Sequence, residues 1–516
     1  MARTFICSST EPIVTTASGK IRGFKIDSTY TFWGIPYATA KRWQMPEPVQ
    51  PWEGVEDALS YGFVSPMLSR ESKRGEIMCP HRYWVKDENC LNLNVWTQSI
   101  DPEAKKPVMV WIHGGGFSAG SSIEQVAYDG ENLSVFGDCV VVSINHRLNI
   151  IGYLDLSQYG EKYWNSANVG NADLVAALQW VHDNIAAFGG DPEKVLIFGQ
   201  SGGGGKVQSL LQTPAADGLF QRAVIMSGIL EINAMRDIDP DTSKIGPAMM
   251  AELGCTTIEE MEAVPYEALA AAYNKVAPGL AAQGIYTGQT PIRNSWYAGD
   301  ARVYGFTEHA LTVPTMVGCC IAEMSFGDAV ARKHELTDEA RYAILRDEFG
   351  DKTDALAELF KAAHPTKDLT DLIQLDARFR PNDRAYIRLK AAGEAPVYNY
   401  LFAYEFPIND GKLAWHCSDL AFWFHNEDKV VVGNKPGVSD QLEKNMSTAI
   451  LNFLKNGAPS AEDLPEWPAC TTEHVNTMVL DDTCAMKPDF DESLYEAFLP
   501  VAPDPRKRNR KNIALR

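Results

Sequence analysis

The chain has 516 residues, 45% of them hydrophobic and 10% aromatic, which is enough apolar material for a large core and excludes a mainly disordered protein. A formal net charge of −20 excludes nucleic acid and anionic membrane surfaces as general partners, because phosphate binding needs clustered Lys and Arg. No run of about 18 apolar residues occurs, so no membrane span is expected, and the N-terminal MARTFICSSTEP lacks a leader pattern, so a cytoplasmic location is expected.

Neither an internal repeat nor a long linker divides the sequence, and a single domain over 1–516 is the simplest expectation. In chain order, the segments 108–112 (VMVWI), 140–144 (VVVSI) and 195–198 (VLIF) are apolar runs of strand length, as expected of strands covered on both faces. Between the last two, NADLVAALQWVHDNIAAF at 171–188 spaces Leu174, Ala177, Leu178, Val181 and Ile185 along one helical face and ends at a Gly-Gly stop. Strand, helix, strand is a βαβ unit, so the fold class is α/β and chemistry is expected just past the carboxyl ends of the strands. The stretch from about 231 to 310 reads as helices and loops, a helical insert that caps the site. The basic run RKRNRKNIALR at 506–516 reads as a solvated tail rather than a partner-binding arm. The ten cysteines are scattered from Cys7 to Cys484 without CxxC spacing and read as reduced thiols. With no HExxH or comparable ligand cluster, neither metal nor cofactor is expected.

Two glycine-rich turns carry the chemistry. After VLIF comes Gly199-Gln200-Ser201-Gly202-Gly203, a GxSxG match that leads into a helix-forming segment. At such a strand-to-helix turn the serine is strained and its hydroxyl stands above the sheet, while small neighbours avoid collision. The same glycine run invites a phosphate-loop reading, which fails because position 200 is Gln and Lys206 is followed by Val207. After VMVWI comes His113-Gly114-Gly115-Gly116-Phe117, whose backbone N–H groups suit a developing oxyanion. The expected donors are Gly115, Gly116 and Gly202. Each turn alone is a weak signal, with a chemically silent loop as the alternative; both together, each directly after an apolar strand, point to acyl transfer.

At this point the sequence resembles the type B carboxylesterases, the family of cholinesterases, bacterial p-nitrobenzyl esterases and the non-catalytic neuroligins. The resemblance rests on FWGIPYA at 32–38, ENCLNLNVW at 88–96, WIHGGGF at 111–117, INHRLNIIGYL at 144–154 and the long match at 168–203. It implies an α/β-hydrolase fold, with a central mostly parallel sheet flanked by helices, and hydrolysis of small-molecule carboxylic esters by a Ser-His-Glu triad. Ser201 is then the nucleophile. Glu323, in Gly318-Cys319-Cys320-Ile321-Ala322-Glu323-Met324-Ser325-Phe326, matches the family's acid, with Asp328 as rival. His416, opening HCSDLAFWF, matches the family's base, with His425 as rival. Ser227 matches a serine that hydrogen-bonds the acid. Phe117, Phe326, Phe422, Trp423 and Phe424 are candidates for a substrate pocket, with core packing as the alternative. The family's GESAG is GQSGG here. Secreted relatives join the Cys90 position to an earlier cysteine, and here only Cys79 lies nearby upstream, at much closer spacing. Two other functions remain open: a non-catalytic binding protein of the same fold, and an amidase, thioesterase or acyltransferase using the same site.

Overall fold

A computed structural model describes residues 3–69, 80–325, 330, 332–409 and 411–503. Packing divides the chain into two compact units, Met1–Gly228 with Ile232–Pro314 and Leu454–Gly457, and Ile229–Glu231 with Thr315–Phe453 and Ala458–Arg516. The main-sheet strands are numbered in chain order.

In the first unit these are β1 (Phe5–Ile6), β2 (Phe24–Ile26), β3 (Thr29–Pro36), β4 (Asn92–Thr97), β5 (Lys106–Ile112), β6 (Val140–Ile144), β7 (Gly190–Gln200) and β8 (Arg222–Met226). They lie in the order β1-β2-β3-β4-β6-β5-β7-β8. β5 runs parallel to both β6 and β7, pairing Val110 with Val142 and with Ile197, and β7 runs parallel to β8. The three apolar runs seen in the sequence are thus central strands, and every residue of 108–112, 140–144 and 195–198 is buried. The expected helix is α1 (Val169–Asn184), extended by a 3-10 turn at Ile185–Phe188 and ended by Gly189 at φ 75°.

The segment after β6 is pinned by a buried ion pair. Arg147 donates from Nε and Nη2 to Asp173 of α1 at 2.8 and 2.6 Å, and its Nη1 donates to the Lys41 carbonyl at 2.9 Å. The following residues Ile150, Ile151, Leu154 and Leu156 then meet the helical stretch α2 (Ile245–Leu253), α3 (Ile258–Glu262) and α4 (Tyr266–Ala281). Trp43, Met249, Met261, Leu269 and Tyr273 complete that core. The stretch from 231 to 310 is helical with loops, as its pattern indicates, and Thr257 and Glu260 form a reciprocal cap at the start of α3.

In the second unit β9 (Thr315–Cys320), β10 (Val397–Phe402), β11 (Asn476–Leu480) and β12 (Ala485–Pro488) lie in that order; β9, β10 and β11 are parallel, and β12 is antiparallel. Behind them α5 (Arg380–Lys390) begins with a fully buried arginine. Arg380 donates to Asp491 at 2.9 and 3.0 Å, to Asn399 at 2.7 Å and to Thr477 at 3.0 Å, so one guanidinium ties α5 to β10, β11 and the N-cap of the helix Glu492–Phe498. Among the described residues no helix is long and apolar enough to cross a membrane. Every described cysteine is a free thiol; Cys90 is buried and its pKa is pushed up to about 12 by burial, whereas Cys79 lies outside the described residues. The tail at 506–516, Phe326 and Asp328 also lie outside them.

Removing one partner of a buried pair leaves an uncompensated charge. Asp173→Ala is expected to cost about 3–5 kcal/mol, and Asp173→Leu with Arg147→Met to recover most of it. Urea denaturation of the three proteins checks both expectations.

Candidate active site

β7 ends at Gln200 and helix α6 in the first unit (Gly202–Leu210) starts two residues later, so the turn between them is Ser201 alone. Ser201 sits at φ 59°, ψ −126°, a region that costs a non-glycine residue about 1–3 kcal/mol. Its N–H donates to the Met226 carbonyl at 2.8 Å and its carbonyl accepts from the Gly205 N–H at 3.0 Å, so backbone bonds from both sides hold the strain. The glycines beside it answer a close approach. A β-carbon on Gly202 would lie 1.9 Å from the Gly116 oxygen, and one on Gly203 would lie 2.1 Å from the Ile112 oxygen.

The loop after β5 has its carbonyls tied on one side. The Gly114 oxygen lies 2.9 Å from His113 Nδ1, which must carry the proton because a carbonyl can only accept. The Gly115 oxygen accepts from Ser118 and Ala119 at 3.4 and 3.0 Å. In a trans peptide the C=O and the next N–H point in opposite directions, so the N–H groups of Gly115 and Gly116 face away from these bonds. By the same geometry the Gly202 N–H faces back from its helix. Among the described residues none of the three amides donates to another group. Gly115, Gly116, Gly202 and Ser201 are therefore brought together, with Gly116 against Gly202. Phe117 beside them is half-buried, edge-on to Tyr153 at 5.2 Å, and Ser227 is buried directly after β8.

In the second unit, Glu323 lies in the turn after β9 and is fully buried. The Cys320 N–H donates to its Oε1 at 2.7 Å, and its Oε2 accepts from His416 Nδ1. Two backbone bonds lace the segments that carry this pair: Ala322 N–H to the Ala414 carbonyl at 3.0 Å and His416 N–H to the Glu323 carbonyl at 2.8 Å. The imidazole also stacks on Phe379 at 5.4 Å, and its side chain is 11% exposed. The carboxylate holds the proton on Nδ1 and leaves Nε2 as the basic atom. His425, the rival, instead lies 3.3 Å from Glu443.

Around Glu323 stands a group of buried acids that sequence spacing did not reveal. Burial, with Glu323 as a like charge, raises Asp376 to about 7 and Asp419 to about 6, and Asp383 well above its ordinary value. Asp376 accepts the Arg378, Phe379 and Arg380 N–H groups at 2.9, 2.7 and 2.7 Å, which caps α-helical residues Arg380–Lys390 and places Phe379 against His416. Asp419 accepts from Tyr400 at 2.9 Å and Trp423 at 3.2 Å. Phe422 packs on Phe402, Tyr404 and Phe406, and Trp423 on Tyr400, so both enter the unit's aromatic core, the alternative their spacing left open.

A serine strained above parallel strands, with backbone donors unsatisfied beside it, is the arrangement of an α/β-hydrolase, and the mostly parallel sheet flanked by helices is that fold. Solved structures agree. An esterase from the anaerobe Clostridium hathewayi, described as able to hydrolyze aliphatic aromatic polyesters, is 50% identical, with a TM-score of 0.95 over 97% of this chain and 100% of that one. A PNB esterase structure is 30% identical, with a TM-score of 0.73 over 95% of this chain and 100% of that one. The chain belongs to the carboxylesterase family, whose model matches residues 10–497, and it is a carboxylic ester hydrolase. Para-nitrobenzyl esterase of Bacillus subtilis (strain 168) is 31% identical, over 95% of this chain and 99% of that protein.

Two outcomes follow from this geometry. Gly202→Ala drives a β-carbon into the Gly116 carbonyl and is expected to lower kcat about 10²- to 10³-fold, the size of loss found when an acyl-transfer site gives up one backbone donor, with little change in KM; steady-state kinetics with circular dichroism checks it. Asp376 binds its proton more tightly folded than unfolded, so its contribution is present at low pH and is lost as pH rises from about 4 through about 7. The melting temperature of the wild type should therefore fall relative to Asp376→Asn over that interval.

Proposed function

We propose that ester hydrolysis runs through an acyl-enzyme, with Ser201 as nucleophile, His416 as base, Glu323 as the acid that orients it, and the Gly115, Gly116 and Gly202 amides as the oxyanion hole. The observation that carries this reading is the strained backbone at Ser201 beside three unsatisfied amides, and the Glu323–His416 hydrogen bond supports it further. A serine hydroxyl is a weak nucleophile near neutral pH and needs a base. His416 Nε2 takes the hydroxyl proton as Oγ attacks the ester carbonyl, and the carbonyl electron pair moves onto oxygen. That oxyanion accepts hydrogen bonds from amides already in place, so little reorganisation is needed. Collapse expels the alcohol, which takes the proton from His416. Water then repeats the sequence on the acyl-enzyme and releases the acid. Glu323 holds the imidazole in the useful tautomer and stabilises its cation without itself taking the proton. Ser227 supports the acid, Phe117 borders the substrate, and the helical stretch 231–310 covers the site.

Small-molecule esters are the proposed substrates, and the 50%-identical relative adds aliphatic aromatic polyesters to the class worth testing. A cytoplasmic location belongs to the same proposal, in keeping with the free thiols of the described cysteines. No cofactor takes part in this scheme.

Purified wild type, Ser201→Ala, His416→Ala and Glu323→Gln are compared on p-nitrophenyl acetate, butyrate and octanoate, a matching amide and thioester, and an aliphatic aromatic polyester film. The expected outcome is a loss of about 10⁴-fold or more for Ser201→Ala and His416→Ala, in folded proteins. Glu323→Gln should cost slightly less. A folded Ser201→Ala as active as the wild type on the esters overturns the assignment, and faster turnover of the amide or thioester moves the substrate class.

A further inference from the structure

Lys206 failed the phosphate-loop pattern in the sequence and has no part in the triad, yet it is 0% exposed. It is the first residue after the four glycines of the helix that follows Ser201. A buried lysine is rare, because desolvating an ammonium is costly unless it meets a partner. Here the partner is the His113 carbonyl, which accepts from Nζ at 3.0 Å. His113 opens the oxyanion loop. Nζ also lies 5.7 Å from the centroid of the Phe117 ring, at the loop's other end.

The bond completes a series. The His113 oxygen is held by Lys206, the Gly114 oxygen by His113 Nδ1, and the Gly115 oxygen by Ser118 and Ala119. Each tied carbonyl turns the following N–H the opposite way, and the amides of Gly115 and Gly116 are the product of that alternation. Lys206 supplies the first tie and the only charged one, and charge-assisted hydrogen bonds are roughly twice as strong as neutral ones.

We propose that Lys206 is a positioning residue for the oxyanion loop: it holds the His113 carbonyl and so fixes the Gly114 peptide, from which the tied Gly114 and Gly115 carbonyls set the Gly115 and Gly116 amides, and it brings a positive charge to the segment where negative charge develops. The proposal rests on the acyl-enzyme reading above. It also joins the loop to the helix of the nucleophile, so that both halves of the oxyanion hole move as one body.

The groups facing Lys206 are Glu124, which favours its charged form, and His113 and His146, whose rings are kept neutral first by their own burial and then by Lys206. Burial brings the lysine down from 10.5 to about 7, so the charge on the loop is lost as pH rises through about 7. The wild type should therefore show a falling alkaline limb in kcat that the triad does not supply.

The test uses Lys206→Met and Lys206→Gln in the full chain, with active sites counted by stoichiometric phosphonylation and kinetics on p-nitrophenyl butyrate. A trifluoromethyl ketone, which adds to a serine as an oxyanion, reports the loop directly. In Lys206→Met, kcat per titrated site is expected to fall about 10- to 100-fold and ketone affinity by a similar factor, with KM within about threefold and no alkaline limb. Lys206→Gln, which keeps a donor without the charge, should fall between. Unchanged kcat per site and unchanged ketone affinity overturn the proposal. Should neither variant fold, the wild type decides: a fall in both kcat and ketone affinity as pH rises above about 7 supports it, and a profile that stays flat there overturns it. Failure of the underlying acyl-enzyme reading is distinct, because the wild type would then take no phosphonyl label at Ser201.

Discussion

The helix that follows Ser201 begins so close to the loop after β5 that Gly202 and Gly203 have no room for a β-carbon. That approach sets the rest of the first unit's chemistry. It forces the chain to turn within one residue, so the serine takes a strained conformation; it brings the Gly202 amide beside Gly116; and it buries the side chain of Lys206 under the loop. Close packing lends this rigidity, since an interior at crystal-like density transmits a displacement instead of absorbing it. The family's Ala at the residue after the serine does not fit here without moving a carbonyl, which gives the change to GQSGG a steric reason.

Charge is handled differently in the two units. In the first, Arg147 and Asp173 are fully paired and hold the segment after β6 against α1. In the second, several buried acids stand near Glu323, and burial raises Asp376, Asp383 and Asp419. Raised acids surrender their charge readily, which spares Glu323 the repulsion of several carboxylates at once. Asp376 also holds Phe379, and Phe379 stacks on His416, so the imidazole is fixed by an edge bond to Glu323 and a face contact to a ring.

Much of the fold was legible because its signals are local. Apolar runs at 108–112, 140–144 and 195–198 became buried strands, and the periodic stretch at 171–188 became a helix ended by Gly189. Strand order was not legible: β5 lies between β6 and β7, though it precedes both in sequence, because crossover connections carry no record of which neighbour a strand will find. The pairing of Glu323 with His416 came from likeness to relatives; no spacing rule joins residues 93 apart, and it takes the lacing of Ala322 to Ala414 and His416 to Glu323 to bring them into one hydrogen bond.

The sequence by itself determined the α/β class, the two glycine turns and the serine within the second of them, because each depends on a few adjacent residues and on the space that glycine leaves empty. Only the tertiary structure decided that Lys206 would tie down the loop after β5, that Asp376 would hold Phe379 against His416, and that Phe422 and Trp423 would go to the core. Those roles depend on burial and on contacts between distant segments, and a side chain's charge, partner and exposure have no meaning until the chain has closed around it.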